Sequence, residues 1–229
     1  MRPSKVRQNI TLSIKAIFIL YATSCKAQVL FEDSFGGTSL DTSKWEVVLP
    51  FESSSVSVNN GYVLSQDRGQ IITKQNFGFP YTLSGSFSSS FSDDLVGVTL
   101  RTSGSNLGRE LWGAASGLGV GFWMAGFINM GESGFDEIPG SRHPFAFELN
   151  QTYNFSIHDS GNSVTVKIND IEIMSVVTSY STGSRIAFDS RQPGGNVSYS
   201  NIQVVPEPSA LSFLAIGLGG WAMMRRRRS

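Results

Sequence analysis

Two tryptophans in a glycine-rich stretch are the residues of this chain best suited to ligand binding. Trp112 and Trp123 both lie within residues 111–131, and a flat aromatic face beside a few polar groups is well suited to hold a sugar ring. Glu110, near the first tryptophan, and Arg142, in a proline-bounded loop, could orient such a ligand. These four residues are candidate ligand-binding residues; the alternative is that both tryptophans fill the hydrophobic core.

Acid–base catalysis on a glycan would need two carboxylates on one side of a cleft. Neighbouring residues of a strand point to opposite faces, so the adjacent Asp136 and Glu137 could not act together on one strand. Glu132 and Asp136 are four apart, but glycines and a proline around them predict a loop. A catalytic pair would have to come from distant strands. His143 and His158 have no second histidine or cysteine nearby, so no transition-metal site is indicated.

The segments that must position these side chains have the pattern of β-strands. Residues 154–158, 164–168 and 171–175 alternate apolar and polar side chains and are separated by turn sequences, which predicts a β-meander. Further strands are predicted at 61–65, 70–73, 82–90, 95–101, 119–125, 185–189 and 198–204. This many short strands, without a helical period or an internal repeat, predict a single all-β sandwich domain over residues 28–205.

The N-terminus has the features of a secretory signal peptide over residues 1–27. A basic start is followed by a mostly apolar run to Cys25, and small residues precede a cleavage site before Gln28. Residues 22–25 also allow an alternative interpretation as a lipoprotein box. Cys25 is the single cysteine of the chain, so ordinary cleavage would leave a mature protein with neither a disulfide nor thiol chemistry.

Three blocks follow one another at the C-terminus: Pro206, Glu207 and Pro208, the uncharged residues 209–224, and then Arg225, Arg226, Arg227 and Arg228. The prolines remove backbone donors and interrupt helix and sheet, which predicts an extended, accessible motif. As a helix the apolar run would span roughly 24 Å, slightly less than a hydrocarbon core of about 30 Å. The arginines would keep the end of the chain on the cytoplasmic side.

This order of blocks resembles the PEP-CTERM sorting signal of Gram-negative bacteria, which would occupy residues 206–229. The resemblance implies an exported protein that passes through the inner membrane and is cut by an exosortase-type enzyme after signal peptidase has acted. It also implies a final location at the outer cell surface or in the extracellular matrix. A permanent tail anchor that is never cut is the alternative.

The neutral formal charge of the whole chain hides an acidic domain. Residues 28–205 contain nine basic and 17 acidic residues, a net charge of about −8. Nucleic-acid binding is therefore not expected, because phosphates need a basic surface. An acidic surface is compatible with neutral glycans or divalent cations.

The start of the domain resembles the opening of concanavalin A-like lectin and glucanase jelly rolls. Residues 31–35 read Phe-Glu-Asp-Ser-Phe, residues 40–45 contain a Leu-Asp pair and a Lys-Trp pair, and residues 58–64 carry an Asn-Gly turn into a strand. The resemblance implies two antiparallel sheets, with the first and last strands adjacent, so that residues 31–35 lie near 202–204. For Trp45 a structural role in the core is expected.

The same resemblance bears on catalysis and on metal binding. Family-16 glucanases of this fold carry Glu-x-Asp-x-x-Glu on one strand, and this chain lacks that motif. Concanavalin A-like domains often hold a structural calcium, for which Asp93, Asp94 and Asp159 offer oxygens. Both places are also ordinary turn sequences.

The sequence therefore predicts a non-catalytic protein that binds carbohydrate or exopolysaccharide at the cell surface. Two alternatives stay open: a structural matrix component without a small ligand, and a glycan hydrolase or lyase.

Overall fold

The computed structural model describes residues 28–104, 116–132, 136–191 and 196–207. Within these ranges the chain forms sixteen β-strands and no helix, and every strand pair is antiparallel. The strands make two sheets of eight. The all-β sandwich predicted from the alternation is confirmed.

Sheet A contains the first and last strands of the domain. Its path runs β14-β13-β12-β6-β16-β4-β3, with β1 also paired to β16. In chain order its strands are β1 (Phe31–Asp33), β3 (Ser55–Asn59), β4 (Tyr62–Gln66), β6 (Tyr81–Ser89), β12 (Tyr153–Asp159), β13 (Ser163–Ile168), β14 (Ile171–Val177) and β16 (Asn196–Pro206).

Sheet B is built from the middle of the chain. Its path runs β10-β9-β8-β7-β15-β5-β2, with β11 paired to β9. Its strands are β2 (Trp45–Val48), β5 (Gln70–Thr73), β7 (Leu95–Thr102), β8 (Leu118–Trp123), β9 (Phe127–Glu132), β10 (Asp136–Glu137), β11 (His143–Pro144) and β15 (Arg185–Ser190).

The predicted contact between the two ends of the domain is confirmed residue by residue. Phe31 lies opposite Val204 and Asp33 lies opposite Ile202 in the β1–β16 ladder. The predicted meander is present as β12, β13 and β14. The loop prediction around Glu132 was wrong, because Asp136 pairs with Glu132 at the end of a β9–β10 hairpin.

Aromatic side chains fill the space between the sheets. Phe87 of sheet A stacks on Phe122 of sheet B with ring centroids 4.8 Å apart. Trp45 is buried, as expected, and its Nε1 donates to Oδ2 of Asp33 at 2.7 Å. Aromatic pairs of this kind add about 0.5–1.5 kcal/mol each beyond the area that they bury.

One buried ion pair joins the two sheets. Arg101, on β7 of sheet B, donates through Nε and Nη2 to the two carboxylate oxygens of Asp159, on β12 of sheet A, at 2.9 and 2.6 Å. A β-bulge in the β7–β15 ladder and a φ of +54° at Arg101 accompany this arrangement. Both side chains are almost fully buried. Tyr81 and the backbone N–H of Gly161 also donate to Asp159.

Two further donors of Arg101 are used as well, since Nη1 donates to the carbonyls of Thr178 and Tyr180. Burial beside Asp159 raises the pKa of the Tyr81 hydroxyl well above its usual value, so Tyr81 stays a neutral donor. In the structure Asp159 is the ion-pair partner of Arg101; its role as a calcium ligand stays a prediction.

Replacing Asp159 by Ala should lower the free energy of unfolding by about 3–5 kcal/mol, because Arg101 would remain buried without its counter-ion. Equilibrium urea unfolding measures this change. Glu172→Ala, at an exposed position of β14 in the same sheet, is the matched control and should cost less than about 0.5 kcal/mol. An equal, small loss in both variants would contradict the role assigned to the ion pair.

Candidate functional site

The predicted ligand residue Trp123 lies on the outer face of sheet B, at the end of β8. Val120 and Phe122 point into the core, whereas Trp123 is half-buried on the opposite side. Its ring stacks on Phe127 with centroids 5.4 Å apart, and the Arg191 guanidinium lies 4.9 Å from its centroid. Much of the aromatic surface expected for a sugar is therefore already in contact with protein.

A chain of hydrogen bonds connects Trp123 to the second predicted ligand residue, Arg142. Trp123 Nε1 donates to Oδ1 of Asn129 at 2.7 Å, and Asn129 Nδ2 donates to Oε2 of Glu137 at 2.7 Å. Arg142 Nη2 donates to the same carboxylate oxygen at 2.7 Å, and its guanidinium lies 4.3 Å from the centroid of Phe127. We call these five residues the rim cluster.

The charged side chains of the rim cluster reach the surface, whereas its amide side chain is buried. Asn129 is buried, whereas the side chains of Glu137 and Arg142 are 31% and 58% exposed. The hydrogen bond from Arg142 lowers the pKa of Glu137, with help from Asn129 and against partial burial. Glu137 is thus an anionic acceptor over most of the pH range, held beside a cationic donor.

From Asn129 a row of buried polar and glycine residues runs from strand to strand across sheet B. Cross-strand partners follow in the order Asn129, Gly121, Gly97, Asp189 and Gln70. A Cβ at Gly97 would overlap the carboxylate of Asp189, so glycine is required there for that side chain to lie over β7. The Gly-x-Gly pattern of β8 is the one sequence signal for this row. It shows that small residues alternate on the strand, but it does not show which residues lie opposite them.

The two carboxylates at the ends of this polar region are far apart. Four strand spacings separate β15, which carries Asp189, from β10, which carries Glu137, or roughly 19 Å between backbones. Glycoside hydrolysis uses carboxyl groups about 5–10 Å apart. The spacing of these two acids therefore gives no support to a hydrolase.

The other predicted metal ligands do not converge with Asp159. Asp94 lies beyond the far end of β6, where its carboxylate accepts from Ser89 and from the N–H of Arg191. Asp93 is exposed beside it. Asp159 lies opposite Tyr81, the first residue of β6, roughly 25 Å along the strand. Across the described ranges, no group of three or more His, Cys, Asp or Glu side chains could hold a metal ion.

Several predicted features lie outside the described residues. These are Glu110 and Trp112, the signal peptide at 1–27, Pro208, and the apolar run with Arg225–Arg228. Of the sorting motif, Pro206 and Glu207 are described: Pro206 ends β16. In the part of the chain that the structure covers, no helix has the length and apolarity needed to cross a membrane.

The sequence did not predict a groove on the outer face of sheet A. It has a volume of about 440 Å³. Leu64, Ser198 and Ser88 form one row of cross-strand partners, and the two serine hydroxyls are 2.7 Å apart. Tyr62 forms part of its wall and accepts a hydrogen bond from Asn59 at 2.9 Å.

The sheet A groove is uncharged: its described lining consists of Ser, Asn and Thr with Gly, Tyr, Leu and Phe. One sequence signal could have indicated it. Residues 82, 84, 86 and 88 are Thr, Ser, Ser and Ser, a period of two that places a hydroxyl ladder on one face of β6, and Ser90 follows directly after the strand. The prediction located this strand but did not interpret its polar face.

A family model supports the prediction for the C-terminus. Residues 204–228 match the PEP-CTERM protein-sorting motif. The motif indicates an exported protein that an exosortase processes. No curated protein matches the chain significantly.

Solved structures share the fold of the domain. A Bacillus subtilis protein of unknown function with a galectin-like fold has a TM-score of 0.60 at 14% identity, covering 80% of this chain and 99% of that protein. Carbohydrate-binding module CBM66 from Bacillus subtilis has a TM-score of 0.53 at 11% identity, covering 74% and 97%. A sialidase has a TM-score of 0.58 at 13% identity and covers 79% of this chain, which spans only 19% of that enzyme.

These likenesses confirm the predicted fold, a jelly-roll β-sandwich of the galectin-like and concanavalin A-like type.

Replacing Arg142 by Ala should raise the pKa of Glu137, because the largest cause of its lowering is the hydrogen bond from Arg142. A carboxyl with a lowered pKa stabilises the fold above its unfolded-state pKa, and that contribution is lost as the pH falls through the folded value. NMR titration of the side-chain carboxyl measures the pKa. Arg142→Lys, which keeps the charge but not the planar fork, should give an intermediate value.

Proposed function

We propose that this exported protein binds uncharged saccharide chains in the sheet A groove. The observation that carries the proposal is the lining: an open groove without a charged residue among its described neighbours, on a domain with a net charge of about −8. Serine hydroxyls and asparagine amides both donate and accept hydrogen bonds, which suits sugar hydroxyl groups. Tyr62 adds a ring against which a sugar face can pack.

The size of the groove fits a short oligosaccharide segment. Its volume of about 440 Å³ lies within the usual range of ligand sites, about 300–1,000 Å³. The absence of charged groups in the described lining leaves nothing to neutralise a carboxylated or sulfated glycan, so neutral chains are favoured. The carbohydrate-binding module among the similar structures is consistent with this class of ligand.

The rim cluster is a second candidate surface on the opposite side of the sandwich. Its partly exposed Glu137 and exposed Arg142 could contact a polar ligand, beside the half-buried Trp123, whose ring contacts Phe127 and Arg191. We place the rim cluster second because its polar groups already bond to one another. A matrix component with no soluble ligand is the competing function.

Titration of the full-length chain against dextran, laminarin and mannan, with alginate as the acidic comparison, tests the proposal. Tyr62→Ala should weaken binding of the neutral glycan at least tenfold, which corresponds to about 1.4 kcal/mol, whereas Tyr62→Phe, which keeps the ring, should retain most of it. Trp123→Ala should leave binding unchanged.

Loss of binding in Trp123→Ala alone would move the site to the rim cluster. A lack of binding to all three neutral glycans would favour the matrix component, and preference for alginate would refute the neutral site.

A further inference from the structure

The sorting motif is continuous with a strand of the folded domain. In the β16–β6 ladder Val205 lies opposite Thr82 and Pro206 lies opposite Tyr81. Pro206 is the first residue of the Pro-Glu-Pro motif, so the motif begins inside sheet A. The sequence had predicted a motif held open and accessible; its first residue is instead part of a sheet.

The next residue, Glu207, is held through both its backbone and its side chain. Its N–H donates to the carbonyl of Pro80 at 3.2 Å. Its Oε1 accepts a hydrogen bond from the Thr82 hydroxyl and lies 3.5 Å from Nδ1 of His158. The Glu207 and His158 side chains are each 39% exposed.

The partners of Glu207 form one surface because the sheet places them side by side. Thr82 and His158 are direct cross-strand partners of β6 and β12, with Oγ1 and Nδ1 3.3 Å apart. This surface exists only when β6, β12 and β16 are paired. An unfolded chain would carry the same motif without its partners.

We infer that Pro80, Thr82 and His158 form a docking site for the chain's own sorting motif, and that this site competes with the processing enzyme. An enzyme that reads Pro-Glu-Pro must contact Glu207, whose carboxylate and N–H are already engaged by the domain. The end of β16 must therefore detach before the motif can enter an active site. Folding of the domain thus slows processing, independently of any glycan binding.

Processing of the full-length chain in cells that produce an exosortase measures this competition. Pulse-chase labelling follows the conversion to the shorter product, and mass spectrometry identifies the new C-terminus. The double variant Thr82→Val/His158→Phe removes both side-chain partners while leaving the motif intact. Because the contacts are partly exposed hydrogen bonds, processing should accelerate about two- to tenfold.

Ser86→Ala is the matched control. It removes another side-chain hydrogen bond between the same two strands, Ser86 Oγ to Asn154 Oδ1 at 2.8 Å, four residues along β6 from Thr82, and it should be processed at the wild-type rate. Hydrogen exchange of the full chain gives a second readout: protection of the Glu207 amide should fall in the double variant, while that of β13 is kept.

An unchanged rate in the double variant, with β13 still protected, would overturn the inference. A slower rate would also overturn it, since it would mean that the domain presents the motif to the enzyme. If β13 also loses protection in the double variant, the single variants Thr82→Val and Thr82→Ser replace it. Docking through the hydroxyl requires Thr82→Val to be processed faster than Thr82→Ser, which keeps the hydroxyl, and equal rates would overturn the inference.

Discussion

The guanidinium of Arg101, from sheet B, donates hydrogen bonds to both carboxylate oxygens of Asp159, on sheet A. A buried pair of this kind needs additional hydrogen bonds to offset its desolvation, and here Tyr81, Gly161 and two backbone carbonyls supply four of them. Residues 28–205 contain no cysteine, so no disulfide can fix the two sheets relative to each other. The ion pair and the aromatic contacts between the sheets have that role, and the position of both candidate surfaces depends on them.

The two outer faces of the sandwich are chemically different. Sheet A carries the hydroxyl ladder of β6, which lines the uncharged groove at one end and holds Glu207 through Thr82 at the other. Sheet B carries a buried polar row that ends in the charged pair of Glu137 and Arg142. A single alternating strand pattern produces both faces, because the apolar side chains take the inner positions and leave the outer ones free to differ.

Local pattern was enough to predict most strands, because alternation and turn residues act over a few positions. It predicted the β12–β14 meander, and the resemblance of the domain's first residues placed β1 beside β16. It could not predict the pair of Arg101 and Asp159, which are 58 residues apart and meet only after both sheets form. The hairpin at Glu132 was missed because the glycines there suggest a loop. The sheet A groove was missed because its lining comes together only when three strands pair in the correct register.

The position of β16 has a mechanical consequence. The chain leaves the domain through the end of this strand, which lies between β6 and β1. While the C-terminus is tethered, tension on it pulls β16 along its own axis. Ladder hydrogen bonds lie across that axis, so those on both sides resist the load together and do not open one after another. The strand that leads to the sorting motif is thereby suited to carry force between the point that holds the C-terminus and the ligand or surface that the domain binds.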